Sequence, residues 1–215
     1  LSDEHSLASI TCESSTHVDD LVLQLLPEGT VYIQIKHGLK LGPEFDKAMA
    51  QLVRQFWSDS FSCTRDRLVI ATDQSASDTV RVAVRNILRT CHDLASGADL
   101  EGSATSEVTK KALKRLRTCF ENESKVLQKS AQDITRRFRD FLGCTHLSIF
   151  ETLDGSQEYQ AIESLRQVVN PQQARQAWTL LNSTCLDIAT LRKSLDRWGF
   201  WSVLGRHQIE VSHRR

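Results

Sequence analysis

The sequence has no apolar stretch near the roughly 20 residues that a helix needs to span a bilayer, and no signal peptide is visible. It also has no excess of charge of either sign, because 27 basic residues are balanced by 27 acidic ones. This balance excludes a surface that binds polyanions everywhere, but it permits a local basic groove. We therefore expect a cytoplasmic protein without a membrane partner.

A cluster of metal-binding cysteines is also missing. The six cysteines are scattered along the chain, and no C-x-x-C pair occurs. The nearest approaches to a zinc ligand set are Cys144-Thr-His146 and Cys91-His92, which are too sparse for a site that needs clustered ligands. Isolated, partly buried thiols in a reducing compartment are the expectation.

The length and composition are those of a globular protein. The chain has 215 residues, of which 40% are hydrophobic and 25% are charged. This is enough for one large domain or for a domain with a helical appendage. The small, polar stretch 96–106 is typical of a loop or linker. We divide the chain there into a core over 1–95 and a mainly helical extension over 106–215.

The first part of the chain alternates between strand and helix patterns. Apolar runs at 7–12, 20–25, 31–36 and 67–73 predict strands, and the last of these is continuous enough to be a buried, parallel strand. Pro43 opens an amphipathic helix, and a second helix is expected over 78–90. The order strand, strand, strand, helix, strand, helix predicts an α/β fold with a mixed sheet.

Helical patterns dominate the second part of the chain. Helices are expected over 106–121, 123–141, 157–169, 171–182 and 186–197, with a break at Phe120–Ser124 and one further strand near 144–151.

Polar residues at the ends of two successive strands are the main chemical signal. In Val31–Lys36 the side chains alternate, so Gln34 and Lys36 share a face. Pro27 and Gly29 break the pattern before this run and predict a hairpin that brings Asp20 near Lys36. A simpler alternative is a surface hairpin whose polar residues lie on the solvated face.

Phosphodiester hydrolysis is the chemistry that needs these residue types. Mg²⁺ is held by one or two carboxylates and keeps several waters. Asp20 is the expected main ligand, with Glu13 or Asp19 assisting. The amide oxygen of Gln34 would ligate the ion or orient a water, and Lys36 would stabilise developing negative charge.

The pattern of Glu13, Val18-Asp-Asp20 and Gln34-Ile-Lys-His37 resembles the active-site core of the PD-(D/E)xK nuclease superfamily. Within it, the Mrr-like branch and the double-strand DNA endonuclease domains of CD-NTase-associated anti-phage defence proteins are most similar. The resemblance covers roughly residues 7–73. It implies a restriction-endonuclease-like fold, Mg²⁺ or Mn²⁺ as cofactor, double-stranded DNA as substrate, and an associated or fused ATPase or sensor module.

Candidate DNA contacts follow from the positive charges near this motif and in the basic block 110–139. We assign them to His37, Lys40, Lys110, Lys114 and Arg117, although a solvated helical face explains the block equally well. Nucleases that cut both strands commonly present two sites, so a homo-oligomer is expected. The alternative function is a catalytically inactive, nuclease-like domain for DNA binding or oligomerisation.

Overall fold

The computed structural model of the chain describes residues 6–12, 15–18, 20–93, 100, 102, 104–150 and 155–211. Within them, six strands form one sheet: β1 Ser6–Cys12, β2 Leu21–Leu26, β3 Thr30–Lys36, β4 Arg67–Asp73, β5 Thr145–Phe150 and β6 Ser194–Asp196. The helices of the same residues are α1 Pro43–Phe56, α2 Arg85–Asp93, α3 Glu107–Val126, α4 Ala131–Cys144, α5 Ser156–Leu165, α6 Ala174–Thr190 and α7 Arg197–Arg206. A π-helical segment, Thr79–Val84, leads into α2.

The sheet has the order β5-β4-β3-β2-β1-β6 and mixed strand directions. β6, β1, β2 and β3 pair antiparallel, whereas β3, β4 and β5 pair parallel. Short turns can join antiparallel neighbours, but parallel neighbours need a crossover, and α1 provides the one from β3 to β4. The predicted α/β class, the mixed sheet and the parallel β4 are confirmed.

At β3, the face of the sheet that the main helical layer covers is the one that carries the polar residues of this strand. Tyr32 and Gln34 are buried there under α1, and Gln34 is only 1% exposed. On the opposite face Ile35 is 50% exposed. The alternative of a surface hairpin with solvated polar residues is therefore wrong, because the helical layer packs on the Gln34 side.

Helix α1 is held against α3 by an ion pair at each of its ends. The guanidinium of Arg115 makes a two-pronged contact with the Asp46 carboxylate, and Arg54 Nε lies 2.6 Å from Glu123 Oε1. Eight residues separate the two partners on each helix, so α1 and α3 run parallel. Beneath them, the rings of Phe56, Phe120 and Phe141 pack together in the main core.

The predicted break at Phe120–Ser124 is wrong. α3 continues to Val126, and the interruption lies at 127–130, where Gln128 has a φ of 57° and Ser130 caps α4 by accepting from Asp133 N. The polar residues that suggested a turn have tertiary partners instead. Ser124 Oγ accepts from Trp57 Nε1 at 2.8 Å, and Glu123 pairs with Arg54.

The C-terminal helices also differ from expectation. Instead of two helices over 171–182 and 186–197, a 3₁₀ turn over Pro171–Gln173 leads into the single helix α6. The hydroxyl of Thr184 donates to Leu180 O within α6 at 2.8 Å, so the polar stretch 182–185 does not interrupt it. Residues 194–196 then pair with β1 as strand β6. A second, smaller hydrophobic core forms around Val169, Ala174 and Leu204.

Strands β5 and β6 both come from the segment after residue 106, and both join the sheet of the N-terminal part. The division into a core over 1–95 and an extension over 106–215 stays a prediction. Among the described residues, no helix combines the length and the apolar character that crossing a membrane would require.

The half-buried histidine His146 on β5 predicts a pH-dependent stability. Burial, with the nearby His92 and Arg67, lowers the pKa of His146 from 6.5 to about 4. The unfolded chain then binds this proton before the folded chain does, so stability should decrease as the pH falls from about 6.5 to about 4. Urea unfolding across this range should show a smaller decrease for His146→Gln, whereas the exposed control His207→Gln should behave like the wild type. Equal pH profiles for all three proteins would contradict this assignment.

Candidate active site

Asp20, Gln34 and Lys36 come together at one end of the β2–β3 hairpin. Leu21 is paired with Ile33, so Asp20 lies opposite Gln34 just before β2 begins. The Lys36 Nζ atom is 3.5 Å from Asp20 Oδ2, and these side chains are 25% and 23% exposed. The predicted proximity of the three residues and their shared face are thus present.

The Asp20 carboxylate is held by its Oδ2 atom. This oxygen accepts from Ile35 N at 2.6 Å and from the side-chain amide of Gln34, in addition to facing Lys36. Each of these contacts satisfies a donor of β3 and orients the carboxylate. Within the described part of the chain, the other oxygen, Oδ1, has no such contact, which leaves it as a potential ligand atom.

The amide oxygen of Gln34 has no hydrogen-bond partner among the described residues although it is buried. The Thr72 hydroxyl, on the strand beside Lys36, is buried in the same unpartnered way. Buried polar atoms without a partner cost roughly 1–3 kcal/mol each, so such a pair at one site requires an explanation. A bound cation or an ordered water would supply the missing partner.

These atoms fit Mg²⁺ in part. Asp20 Oδ1 and Gln34 Oε1 are hard oxygen donors of the kind that Mg²⁺ prefers, and the ion keeps waters at its remaining positions. The two assisting acids, Glu13 and Asp19, lie outside the described residues. Among the residues that the structure does describe, no group of three or more His, Cys, Asp or Glu side chains is arranged for a metal. The donor set is therefore one carboxylate and one amide.

Asp73 is a residue of this region that the sequence pattern did not reveal. It ends β4, and its carboxylate accepts from Ser75 Oγ at 2.5 Å, from Gly38 N at 3.2 Å and from the ring of His37. The hydrogen bond from Ser75 is the main cause that lowers its pKa to about 2, and those from Gly38 and His37 add to it. Asp73 therefore stays ionised and fixes the turn that follows Lys36. Its only visible signal was its place at the end of a buried strand.

The assigned DNA contacts separate into two groups. Lys40 is exposed in the loop after Lys36, and Lys114 lines a small groove of about 220 Å³ together with Leu41, Lys111, Arg115 and Thr118. Lys111 was missed, although it precedes Lys114 by about one helical turn.

The other three assigned residues have protein partners. Lys110 pairs with Glu107 at 2.9 Å, the guanidinium of Arg117 lies 4.7 Å above the centre of the Phe138 ring, and His37 contacts Asp73. The structure does not bring Lys110 or Arg117 into the groove with Lys114.

Searches against protein-family models, curated proteins and solved structures found no significant match to this chain. Its function must therefore be argued from the chemistry of its residues.

Because three donors contact its carboxylate, Asp20 should stabilise the folded state even without a bound metal. Asp20→Asn removes the charge that they share and should lower the free energy of unfolding by about 1–3 kcal/mol. Asp78→Asn is the control, because Asp78 is exposed and pairs only with Arg81 at the surface. Urea denaturation in the presence of a chelator checks this, and equal effects of the two substitutions would contradict it.

Proposed function

We propose that this chain is a Mg²⁺-dependent endonuclease that hydrolyses double-stranded DNA, as an effector of bacterial anti-phage defence. The observation that supports the reaction is the placement of Asp20, Gln34 and Lys36 on one covered sheet face, with a buried Gln34 oxygen that lacks a partner among the described residues. The defence role rests on the sequence resemblance alone. A restriction-endonuclease-like arrangement of the mixed sheet is part of the same proposal.

The three residues have different roles in this proposal. Asp20 and Gln34 would hold the ion through their oxygen atoms, with Glu13 or Asp19 as further ligands. The bound ion supplies an activated water and neutralises charge on the scissile phosphate. The ammonium group of Lys36 stabilises negative charge that develops in the transition state. Asp73 is a positioning residue, because it fixes the turn next to Lys36 without facing the substrate.

DNA would approach from the loop after Lys36. Leu41 lies five residues beyond Lys36 and forms one wall of the groove whose other wall is the Lys111 and Lys114 stripe of α3. With Lys40, these lysines place three positive charges near the start of α1. Contacts from these lysines to phosphates would hold the duplex without reading its sequence.

Loss of Lys36 should abolish cleavage. With plasmid DNA and Mg²⁺, Lys36→Ala should cut at least about 100-fold more slowly than the wild type, because removing one transition-state donor typically costs this much. Lys193→Ala, an exposed lysine in the turn before β6, is the control and should cut normally. Unimpaired cleavage by a folded Lys36→Ala protein would refute the assignment.

Mg²⁺ binding can be measured independently of cleavage. A ligand that binds only the folded state raises its stability, so millimolar Mg²⁺ should increase the melting temperature of the wild type. Asp20→Asn and Gln34→Leu should lose most of this increase, whereas Asp78→Asn should keep it. An Mg²⁺ effect of equal size in all four proteins would exclude a site at Asp20.

The groove lysines should affect binding more than the chemical step. Lys111→Ala combined with Lys114→Ala should weaken DNA binding and reduce the slope of log K against log salt by about 1 to 2. The control removes two charges from the same helix outside the groove, with Lys110→Ala and Lys125→Ala. Equal losses of affinity in both double variants would place the DNA elsewhere.

A non-cleaving DNA-binding or oligomerisation domain is the second candidate. The observation that favours it is the Asp20 Oδ2 atom, which is already occupied by three donors of the chain itself. In this case the protein would bind DNA in a salt-sensitive manner but would not cleave it. Self-association is part of both proposals, and Trp198, which is 79% exposed on α7, is the side chain best placed to contribute.

A further inference from the structure

Two cysteines that are far apart in sequence meet at the end of the sheet opposite to Asp20. Cys63 lies in the connection that leads into β4, and Cys144 is the last residue of α4, immediately before β5. β4 and β5 are parallel neighbours, with Leu68 paired to Thr145, so the segments that lead into them run side by side. The two thiols lie close enough to interact, and their interaction shifts the pKa of each.

A fixed positive charge lies beside the Cys63 sulfur. Arg137 Nη2 of α4 is 3.7 Å from Cys63 Sγ. The guanidinium is held there by aromatic rings of α1, since its centre is 4.6 Å from that of Phe56 and 5.0 Å from that of Trp57. A cation that is stacked in this way keeps its position and stabilises a thiolate more than a mobile lysine would.

The remaining charged groups around the pair are Asp140 and Arg67. Asp140 is 3.9 Å from Arg137 and opposes the thiolate, whereas Arg67 donates to the backbone oxygen of Cys63 at 3.2 Å. The combined effect is that the interaction with Cys144, aided by Arg137 and opposed by burial, lowers the pKa of Cys63 to about 6.

Four other thiols, those of Cys91, Cys119, Cys144 and Cys185, differ from Cys63. Burial raises the pKa of Cys91 to about 11 and that of Cys119 to about 12, and it also raises the pKa of Cys185. The interaction with Cys63, together with burial, raises the pKa of Cys144, whose thiol donates to Phe141 O at 3.4 Å. Cys63 is partly exposed and Cys144 is buried, which is the arrangement of an attacking thiolate with a second thiol behind it.

We propose that Cys63 is a peroxide-reactive thiolate and that Cys144 resolves its oxidised form into an intramolecular disulfide. In the first step, the Cys63 sulfur attacks one oxygen of hydrogen peroxide or an organic hydroperoxide. An S–O bond forms, the O–O bond breaks, and the leaving hydroxide or alkoxide takes a proton from solvent. The sulfur is oxidised by two electrons to a sulfenic acid, and the peroxide is reduced.

In the second step, Cys144 loses its proton and its sulfur attacks the Cys63 sulfur. The S–S bond forms, the S–O bond breaks, and the leaving hydroxide takes a proton to become water. One peroxide thus converts two thiols to a disulfide. Oxidation of Cys63 also removes the negative charge that had held the proton on Cys144. The disulfide would tie the entry of β4 to the entry of β5, away from the candidate active site.

Peptide mapping of the full chain after brief treatment with equimolar hydrogen peroxide tests this. We expect a Cys63–Cys144 cross-linked peptide, and an intact mass that is lower by two hydrogen atoms. In Cys144→Ser, oxidation should stop at a Cys63 sulfenic acid that dimedone traps, whereas Cys91→Ser should still form the disulfide. Absence of the cross-link in the wild type, or faster oxidation at Cys185 than at Cys63, would overturn the proposal.

The pH profile of iodoacetamide alkylation in the wild type provides a test that needs no variant of the buried Cys144. Cys63 should be alkylated with a midpoint near pH 6, and Cys185, which is also partly exposed but whose pKa is raised by burial, only at higher pH. Arg137→Gln should slow Cys63 alkylation at pH 6, by roughly five-fold for a rise of one pKa unit. Arg136→Gln is the control, because Arg136 precedes Arg137 in the sequence but pairs with Asp133 at the surface. Cys63 and Cys185 profiles that coincide would refute a stabilised thiolate.

Discussion

The parallel clamp between α1 and α3 is the constraint on which the rest of this structure depends. Two ion pairs with the same spacing on both helices fix how far α3 is shifted along α1. Because α1 lies directly on the sheet, the clamp also fixes the helical layer relative to β3 and β4. A slip of α3 by one turn would break both ion pairs together and would disturb the aromatic core beneath them.

Three features follow from this arrangement. Gln34 is buried because α1 covers its side of β3. The groove of Lys111 and Lys114 exists because α3 faces the loop that precedes α1. Arg137 reaches Cys63 because Phe56 and Trp57, at the C-terminal end of α1, hold its guanidinium. The three proposed sites thus surround α1. The catalytic site lies beneath this helix, the DNA-binding groove lies near its N-terminal end, and the redox pair lies near its C-terminal end.

The two ends of the sheet differ in chemistry for a physical reason. At the end of β3 and β4, the turn after Lys36 is fixed by the ionised Asp73, and the proposed ligand atoms are hard oxygen donors suited to Mg²⁺. At the entry of β4 and β5, a stacked arginine and two soft sulfur atoms meet, which suits oxidation rather than binding of a hard cation. A disulfide at the entry of β4 and β5 would leave the residues at the end of β3 and β4 chemically unchanged.

The sequence by itself determined the strand order up to β4, the shared face of Gln34 and Lys36, and the closeness of Asp20, because alternation and turn residues are local properties. Only the tertiary structure decided that this polar face is the buried one, since burial depends on which side α1 packs. Tertiary contacts likewise carried α3 through Glu123 and Ser124, whose partners lie on α1. They also brought Cys63 to Cys144, a pairing that depends on parallel strand register and has no local signal in the sequence.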